Sequence, residues 1–220
     1  MLLTHLERVL NYWPMLLRGV GTTVGISLAS LLIGVALGFA FGIIRTGSNR
    51  WLSRALGLYI DIFRGTPFLV QLFMVFFILP SFGLELSAFT AGVVAMSNMA
   101  ACFIGEIVAS GIRAVPAGQT EAAMATGMSR AQQLRLVILP QAVRIVTPAL
   151  VGQFVLLIKD SSVVSAIGLF DLTRSGWIIV QNVPNGLIVF GLVGLCYLVI
   201  CYPLIFSARR MERRAQAPVL

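Results

Sequence analysis

The chain has 220 residues, 58% hydrophobic and 11% charged, with 16 lysines and arginines against 8 acidic residues and a net charge of +8. A soluble domain carries roughly 25% charged residues, so this composition excludes one and describes an all-α integral membrane protein. The basic residues stand at the edges of apolar stretches without an interleaved aromatic platform, which excludes nucleic-acid binding and ties the positive excess to membrane orientation.

About 20 apolar residues suffice to cross a bilayer, and five stretches reach or approach that length within a single transmembrane domain over 1–220. The first runs from Gly19 to Ile44. Glu7, Arg8 and Arg18 precede it and no cleavage site follows a short apolar core, so it is expected to persist as a span. Gly34, Gly38 and Gly42 recur every fourth residue, a spacing that either admits a neighbouring helix closely or faces lipid.

The second span, Thr66 to Pro80, is entered through Phe63-Arg64-Gly65-Thr66-Pro67. Gly65 interrupts a helix-like stretch, Thr66 suits a cap and Pro67 suits the first helical position, so a discontinuity is predicted there. Asp61 and Arg64 either pair across one turn or anchor an interfacial helix. Gln71 lies inside the span, where an amide needs a partner on a neighbouring helix or faces a translocation path.

The third span, Phe89 to Ile112, carries Asn98 and Glu106, with Ser110 on the same helical face as Glu106. An intramembrane carboxylate is either a ligand for a substrate ammonium or a partner for a helix break or for Lys159. Cys102, Cys196 and Cys201 fall inside spans at spacings that fit neither a metal site nor a disulfide framework, and read as packing residues.

Between spans three and four lies a charged segment, 116–140. Pro116 opens a short helix through Met124, Gly127 permits a turn with positive φ, Ser129 and Gln132 form a capping box, and Pro140 ends the second helix. The product is a compact helix-turn-helix bearing Glu121, Arg130 and Arg135, too polar for hydrocarbon and too well capped for a slack linker: a cytoplasmic docking surface.

The fourth span, Ala142 to Ile158, leads into Lys159-Asp160-Ser161-Ser162. Two opposite charges and two hydroxyls either form a broken helix that presents polar groups to a substrate or mark the outer interface where the span has ended. Gly168 is a further break, and the fifth span runs from Leu187 to Ser207.

Five spans put the termini on opposite sides. Arg45, Arg50, Arg54, Arg113, Arg130, Arg135, Arg144 and the arginines from Arg209 to Arg214 gather on one face, which predicts an external amino terminus and a cytoplasmic carboxyl terminus. The only histidine is His5, which removes the usual base of a Ser-His hydrolase, and the only lysine, Lys159, is not in a Walker A loop. The chain is therefore read as a non-enzyme without a cofactor, and any ATP hydrolysis belongs to another subunit.

Glu121-Ala122-Ala123, then Gly127, then Leu139-Pro140 closely resemble the EAA loop of the membrane-spanning permeases of ABC importers, with Val137 where an Ile usually stands. Phe63 to Pro67 followed by Gln71, and Lys159-Asp160-Ser161-Ser162, resemble the polar amino acid branch of that family, so that the likeness extends from about Gly19 to Arg210. The resemblance implies a five-helix core paired with a second permease subunit of the same or a homologous chain, an ATP-binding cassette ATPase dimer docked on the loop, and an extracytoplasmic solute-binding protein. It also implies a bacterial or archaeal cytoplasmic membrane. An amino acid would meet Gln71, Asn98, Glu106 and Lys159, Asp160, Ser161 and Ser162 by alternating access. The family often carries an Arg three residues beyond Glu106, where this chain has Ala109, so cationic balance near the pocket differs. A secondary transporter would show an internal repeat, and none is found; an exporter-type permease would act without a binding protein.

Overall fold

The computed structural model describes residues 7–215, which excludes His5. Helix α1, Trp13–Thr46, starts with Pro14 in its first turn, carries Arg45 in its last turn and is followed by Gly47 as C-cap. Its 34 residues rise about 51 Å, well beyond the roughly 30 Å of a hydrocarbon core. Helix α2, Arg50–Gly65, is strongly amphipathic and is capped by the Asn49 side chain, which accepts from the Trp51 and Leu52 amides. Helix α3, Phe68–Phe82, continues after a bend of 104° and relaxes from α-helix into a π turn at Met74–Ile78 and a 3₁₀ turn at Leu79–Phe82. Helix α4, Ala88–Ala114, is capped by Ser87. Helix α5, Ala117–Ala125, is followed by α6, Arg130–Ile167, then α7, Leu172–Asn182, and α8, Gly186–Ala215. Among the described residues there is no strand.

Four of these helices, α1, α4, α6 and α8, are long and apolar enough to cross a membrane, and the bent α2–α3 pair makes a fifth candidate. The packing register supports counting it. Added Cβ atoms at Gly34, Gly38 and Gly42 would lie 2.6, 2.5 and 2.5 Å from Ala100, Ile104 and Val108 respectively. Both series ascend together, so α1 and α4 run parallel, with Thr46 and Ala88 at opposite ends. The α2–α3 segment must therefore carry the chain back across the bundle. Helix α6 runs the other way: Gly92 meets Val164, whereas Gly111 meets Val146. The four-residue glycine repeat thus admits a helix, as one of the two sequence alternatives required.

Helix α4 packs against α1, α2, α3 and α6 and centres the core, with Ala95, Met96, Ala100, Ile104 and Val108 enclosed. Outward faces are apolar and exposed, Leu32, Leu187 and Val199 among them, as a membrane-embedded surface requires.

In α6 one sequence expectation is corrected and one of two alternatives is removed. Pro140 does not end the second loop helix, because a π turn at Gln133–Ile138 widens the backbone just ahead of the ring and absorbs its missing donor and its clash with the preceding turn. Lys159 to Ser162 do not break the helix either: α-helix continues through Val164, and the chain turns only at Gly168, with φ 90°.

Candidate functional site

The bend between α2 and α3 is held by a side chain. Thr66 and Pro67 are extended, at φ −106°, ψ 144° and φ −61°, ψ 135°, and neither Thr66 nor any other side chain caps α3 in the expected way. Instead, Nε2 of the buried Gln71 reaches back and donates to the carbonyls of Phe63 and Thr66 at 2.7 and 3.1 Å and to Thr66 Oγ1 at 3.0 Å. These are orphan acceptors at the end of α2, satisfied by an amide one turn into α3. The Gln71 Oε1 atom is buried and has no partner. Asp61 and Arg64 form no ion pair; the Arg64 guanidinium lies over the Phe103 ring, 5.2 Å from its centroid.

Gln71 and Asn98 line one cavity of about 400 Å³, walled by Tyr59, Phe63, Met74 and Val94. The Tyr59 hydroxyl donates to Asn98 Oδ1 and also ties α2 to α4. Sequence reasoning missed Tyr59; its position on the apolar face of an amphipathic helix was the available signal.

Glu106 stands apart. It lines a second cavity of about 440 Å³ with Arg64, Phe103 and Ser110, and its carboxylate is shared between Arg45 and Arg113, at 3.4 and 3.1 Å. Arg45 also donates to the Ser53 carbonyl, and the Ser53 hydroxyl returns a bond to the Arg45 carbonyl at 2.8 Å, so the cluster joins α1, α2 and α4. Its cations are the two arginines that sequence analysis had assigned to membrane orientation, and Lys159 is not among them.

Lys159 is exposed and Asp160 half-buried, and the two form no ion pair. Ser161 is fully enclosed, its hydroxyl donating to the Ile158 carbonyl at 2.8 Å, and Ser162 is half-buried with its carbonyl accepting from Ser165 Oγ. None of the four lines either cavity. A further buried polar group was not anticipated: Asp171 is completely enclosed and caps α7, its Oδ1 accepting from the Arg174 amide at 2.7 Å, with the Tyr197 hydroxyl 3.5 Å from Oδ2. Burial pushes this carboxyl above the ordinary carboxylate range, opposed by the cap hydrogen bonds.

The charged segment forms the expected hairpin. Helix α5 closes in a Schellman motif, with the Met128 amide bonded to the Ala123 carbonyl at 3.2 Å and the Gly127 amide to Met124 at 2.9 Å, around Gly127 at φ 77°. The Ser129–Gln132 capping box starts α6. Glu121 and Ala122 are exposed and Ala123 buried, while Leu139 is half-buried and Pro140 exposed further along α6. Gln141 Nε2 bridges the helices, donating to Gln119 Oε1 at 3.1 Å. Both caps fix the hairpin internally, so its exposed face is held in one arrangement.

The profile of the family described as "Binding-protein-dependent transport system inner membrane component" matches residues 30–217. The chain is 34% identical over 205 residues to the L-cystine transport system permease protein TcyB of Bacillus subtilis (strain 168), covering 93% of this chain and 88% of that one. It is 36% identical over 204 residues to the glutamine transport system permease protein GlnP of Escherichia coli (strain K12), covering 91% and 93%. A solved structure described as an amino acid ABC transporter with histidines superposes with a TM-score of 0.86 at 34% identity, covering 94% of this chain and 96% of that one.

Proposed function

Because this chain belongs to the family of binding-protein-dependent transport system inner membrane components, we propose that it is the permease subunit through which an ATP-driven importer moves polar amino acids into the cytoplasm. The observation that carries the coupling part of this reading is the α5–Gly127–α6 hairpin, an exposed Glu121–Ala122 face held rigid by a Schellman turn and a capping box. An ATP-binding cassette ATPase dimer docks there and contacts the hairpin differently in its open and closed states, which is what a population shift between inward and outward forms requires. Helix α6 is continuous from the hairpin to Ile167, so displacement of the loop travels along one rod into the membrane.

The amino terminus faces outside and the carboxyl terminus faces the cytoplasm. That orientation gathers Arg45, Arg113, Arg130, Arg135 and Arg144 on the inner side, and the parallel course of α1 and α4 supports it. The membrane is the cytoplasmic membrane of a bacterium or archaeon. A solute-binding protein delivers the amino acid from outside, and a second permease subunit, identical or homologous, completes the path between the exposed apolar faces. Gln71 and Asn98 meet the substrate in their shared cavity. Lys159 and Asp160, with Ser161 and Ser162, serve the outer half of the path, and Glu106, already neutralised by Arg45 and Arg113, governs the inner half through those arginines.

The test is co-purification with the partner ATPase, together with vesicle uptake of radiolabelled amino acids. Glu121→Lys and Gly127→Asp are expected to abolish both while the protein still inserts. Unchanged association and uptake would mean that the hairpin is not the coupling element.

A further inference from the structure

Helix α8 packs on the bundle with one face only. Val189, Val193 and Cys201 are buried there against neighbouring helices. On the outer face, Leu195, Val199, Tyr202, Phe206, Arg209 and Arg213 follow one another at alternating steps of four and three residues and form a single exposed stripe. From Leu195 to Phe206 the stripe is apolar or aromatic and rises about 16 Å, close to the roughly 15 Å of hydrocarbon in one leaflet. Its character then changes within one turn. Arg209, Arg210 and Arg213, with Tyr202 and Phe206, line a cavity of about 390 Å³ on the outer surface of the helix. None of the three guanidiniums forms an ion pair among the described residues. No carboxylate lines the cavity, and the exposed Glu212 stands about 100° around the helix from Arg213.

Three unpaired guanidiniums and a phenol at the end of an apolar strip one leaflet long are complementary to a phosphodiester carried on acyl chains. Guanidiniums take phosphate oxygens in bidentate pairs, and aromatic rings favour the headgroup level. We propose that the carboxyl-terminal end of α8 binds an anionic phospholipid, its phosphate held by Arg209, Arg210 and Arg213 and an acyl chain lying along Leu195, Val199, Tyr202 and Phe206. Other occupants fit only half of this surface. A soluble partner reaches the arginines but not a strip inside hydrocarbon, and free phosphate leaves the strip unused. A second copy of the chain shares the same topology in the same membrane, so its α8 would lie parallel and set arginine against arginine. Each basic residue near an anionic leaflet contributes about fivefold in affinity, which favours a lipid with net negative charge over a zwitterionic one. The site depends only on the embedding of the chain in a membrane, not on the direction of transport or the solute carried.

The experiment titrates the detergent-purified permease–ATPase complex with phosphatidylglycerol and with phosphatidylcholine of the same acyl chains, counting bound lipids by native mass spectrometry. Phosphatidylglycerol is expected to bind at least about tenfold more tightly. Two double variants remove the same charge from different places: R209Q/R213Q from the cavity, and R50Q/R54Q from the exposed start of α2. The first is expected to weaken phosphatidylglycerol by about tenfold or more, and the second to leave it within about twofold, because distant exposed charges are screened. Excess inorganic phosphate at constant ionic strength is expected to leave the lipid bound. Equal affinity for the two lipids overturns the proposal on the wild-type protein alone, whether or not the variants assemble. Equal weakening by both double variants overturns it too, since overall charge would then be acting rather than a site. Displacement by phosphate would make the cavity a free-anion site. Release of the ATPase by R209Q/R213Q, with phosphatidylglycerol binding unchanged, would make the arginines a protein contact. Either result also overturns the lipid site.

Discussion

Gln71 Nε2 donates to the Phe63 carbonyl at 2.7 Å across the 104° bend between α2 and α3. The bend exposes the last carbonyls of α2 in a largely apolar setting, and the amide that satisfies them comes from the next helix. Replacing Gln71 with Leu keeps the volume and removes the NH₂ shared by three acceptors, so the Thr66 carbonyl loses its side-chain donor and the Phe63 carbonyl keeps only the longer bond from Thr66 Oγ1, at 3.4 Å. A loss of about 1–3 kcal/mol is expected. It would be read as a lowered midpoint in thermal unfolding of the detergent-purified protein, together with loss of uptake. Gln71→Glu also removes the donor and should be no milder.

Glu106 carries two arginines from two helices, and its side chain is only 23% exposed. Glu106→Gln leaves both guanidiniums without a counter-charge, which is expected to cost about 1–3 kcal/mol. A double-mutant cycle with Arg45→Gln checks it: the pair should be strongly non-additive, with the double variant closer to wild type than the sum of the singles predicts. Simple additivity would show that the 3.4 Å contact is not maintained in the membrane.

Much of the architecture was legible before any coordinates because its signals are local. The Ser129–Gln132 box and the glycine at 127 each act within a few residues, and each is found where it was read. Pro140 misled because a proline stops a helix only when nothing relieves the missing donor, and the relief, a π turn at Gln133–Ile138, has no sequence signature of its own. At Lys159 to Ser162 a broken helix and the outer end of the span stayed open as alternatives, because polarity says that a group needs water or a partner, not whether the backbone unwinds. Of the Glu106 partners, Arg113, seven residues on along the same helix, was within reach of the helical period, but Arg45 could not be read, since it lies 61 residues away and becomes a neighbour only through the parallel packing of α1 on α4. Tyr59 and Asn98 met in the same way.

The glycine stripe on α1 makes a graded prediction with an internal control. A side chain at Gly38 would enter space already held by Ile104, with the nearest atom at 2.5 Å from an added Cβ, whereas nothing lies within 4 Å at Gly25. Gly38→Val is therefore expected to destabilise by about 1–3 kcal/mol or prevent assembly, because overpacking forces the helices apart. Gly25→Ala should be neutral or slightly stabilising, as helix propensity favours it. Expression level and thermal midpoint in detergent separate the two; equal tolerance at both positions would contradict the α1–α4 register.

At Gly127 the space is open, so only the backbone objects. With φ at 77°, an Ala there is expected to cost about 1–2 kcal/mol, the penalty of left-handed backbone for a residue with a Cβ. Asn tolerates that region and should recover most of the loss. Since the Schellman turn orients Glu121, ATPase association should fall in Gly127→Ala and return in Gly127→Asn. Association insensitive to both would separate the turn from docking.

Asp171 makes a pH prediction of unusual sign. Most carboxylates in folded proteins are held below their ordinary range, but burial raises this one, so the folded state binds a proton more tightly than the unfolded chain does. The associated stability is fully present below the unfolded carboxylate pKa and is lost as pH rises through the raised folded value. Asn at this position can still accept from the Arg174 amide and carries no charge to desolvate. Asp171→Asn is therefore expected to match or exceed wild-type stability at neutral pH and to flatten its pH dependence across the weakly acidic range. Asp171→Ala discards the cap and should lose about 1 kcal/mol at every pH. Thermal midpoints of the three proteins between pH 4 and pH 8 decide the matter. A wild-type midpoint that rises with pH, and an Asn variant that loses the rise, would mean that the ionised carboxylate is stabilised where it sits, by a cation reaching Asp171 in the assembled membrane complex.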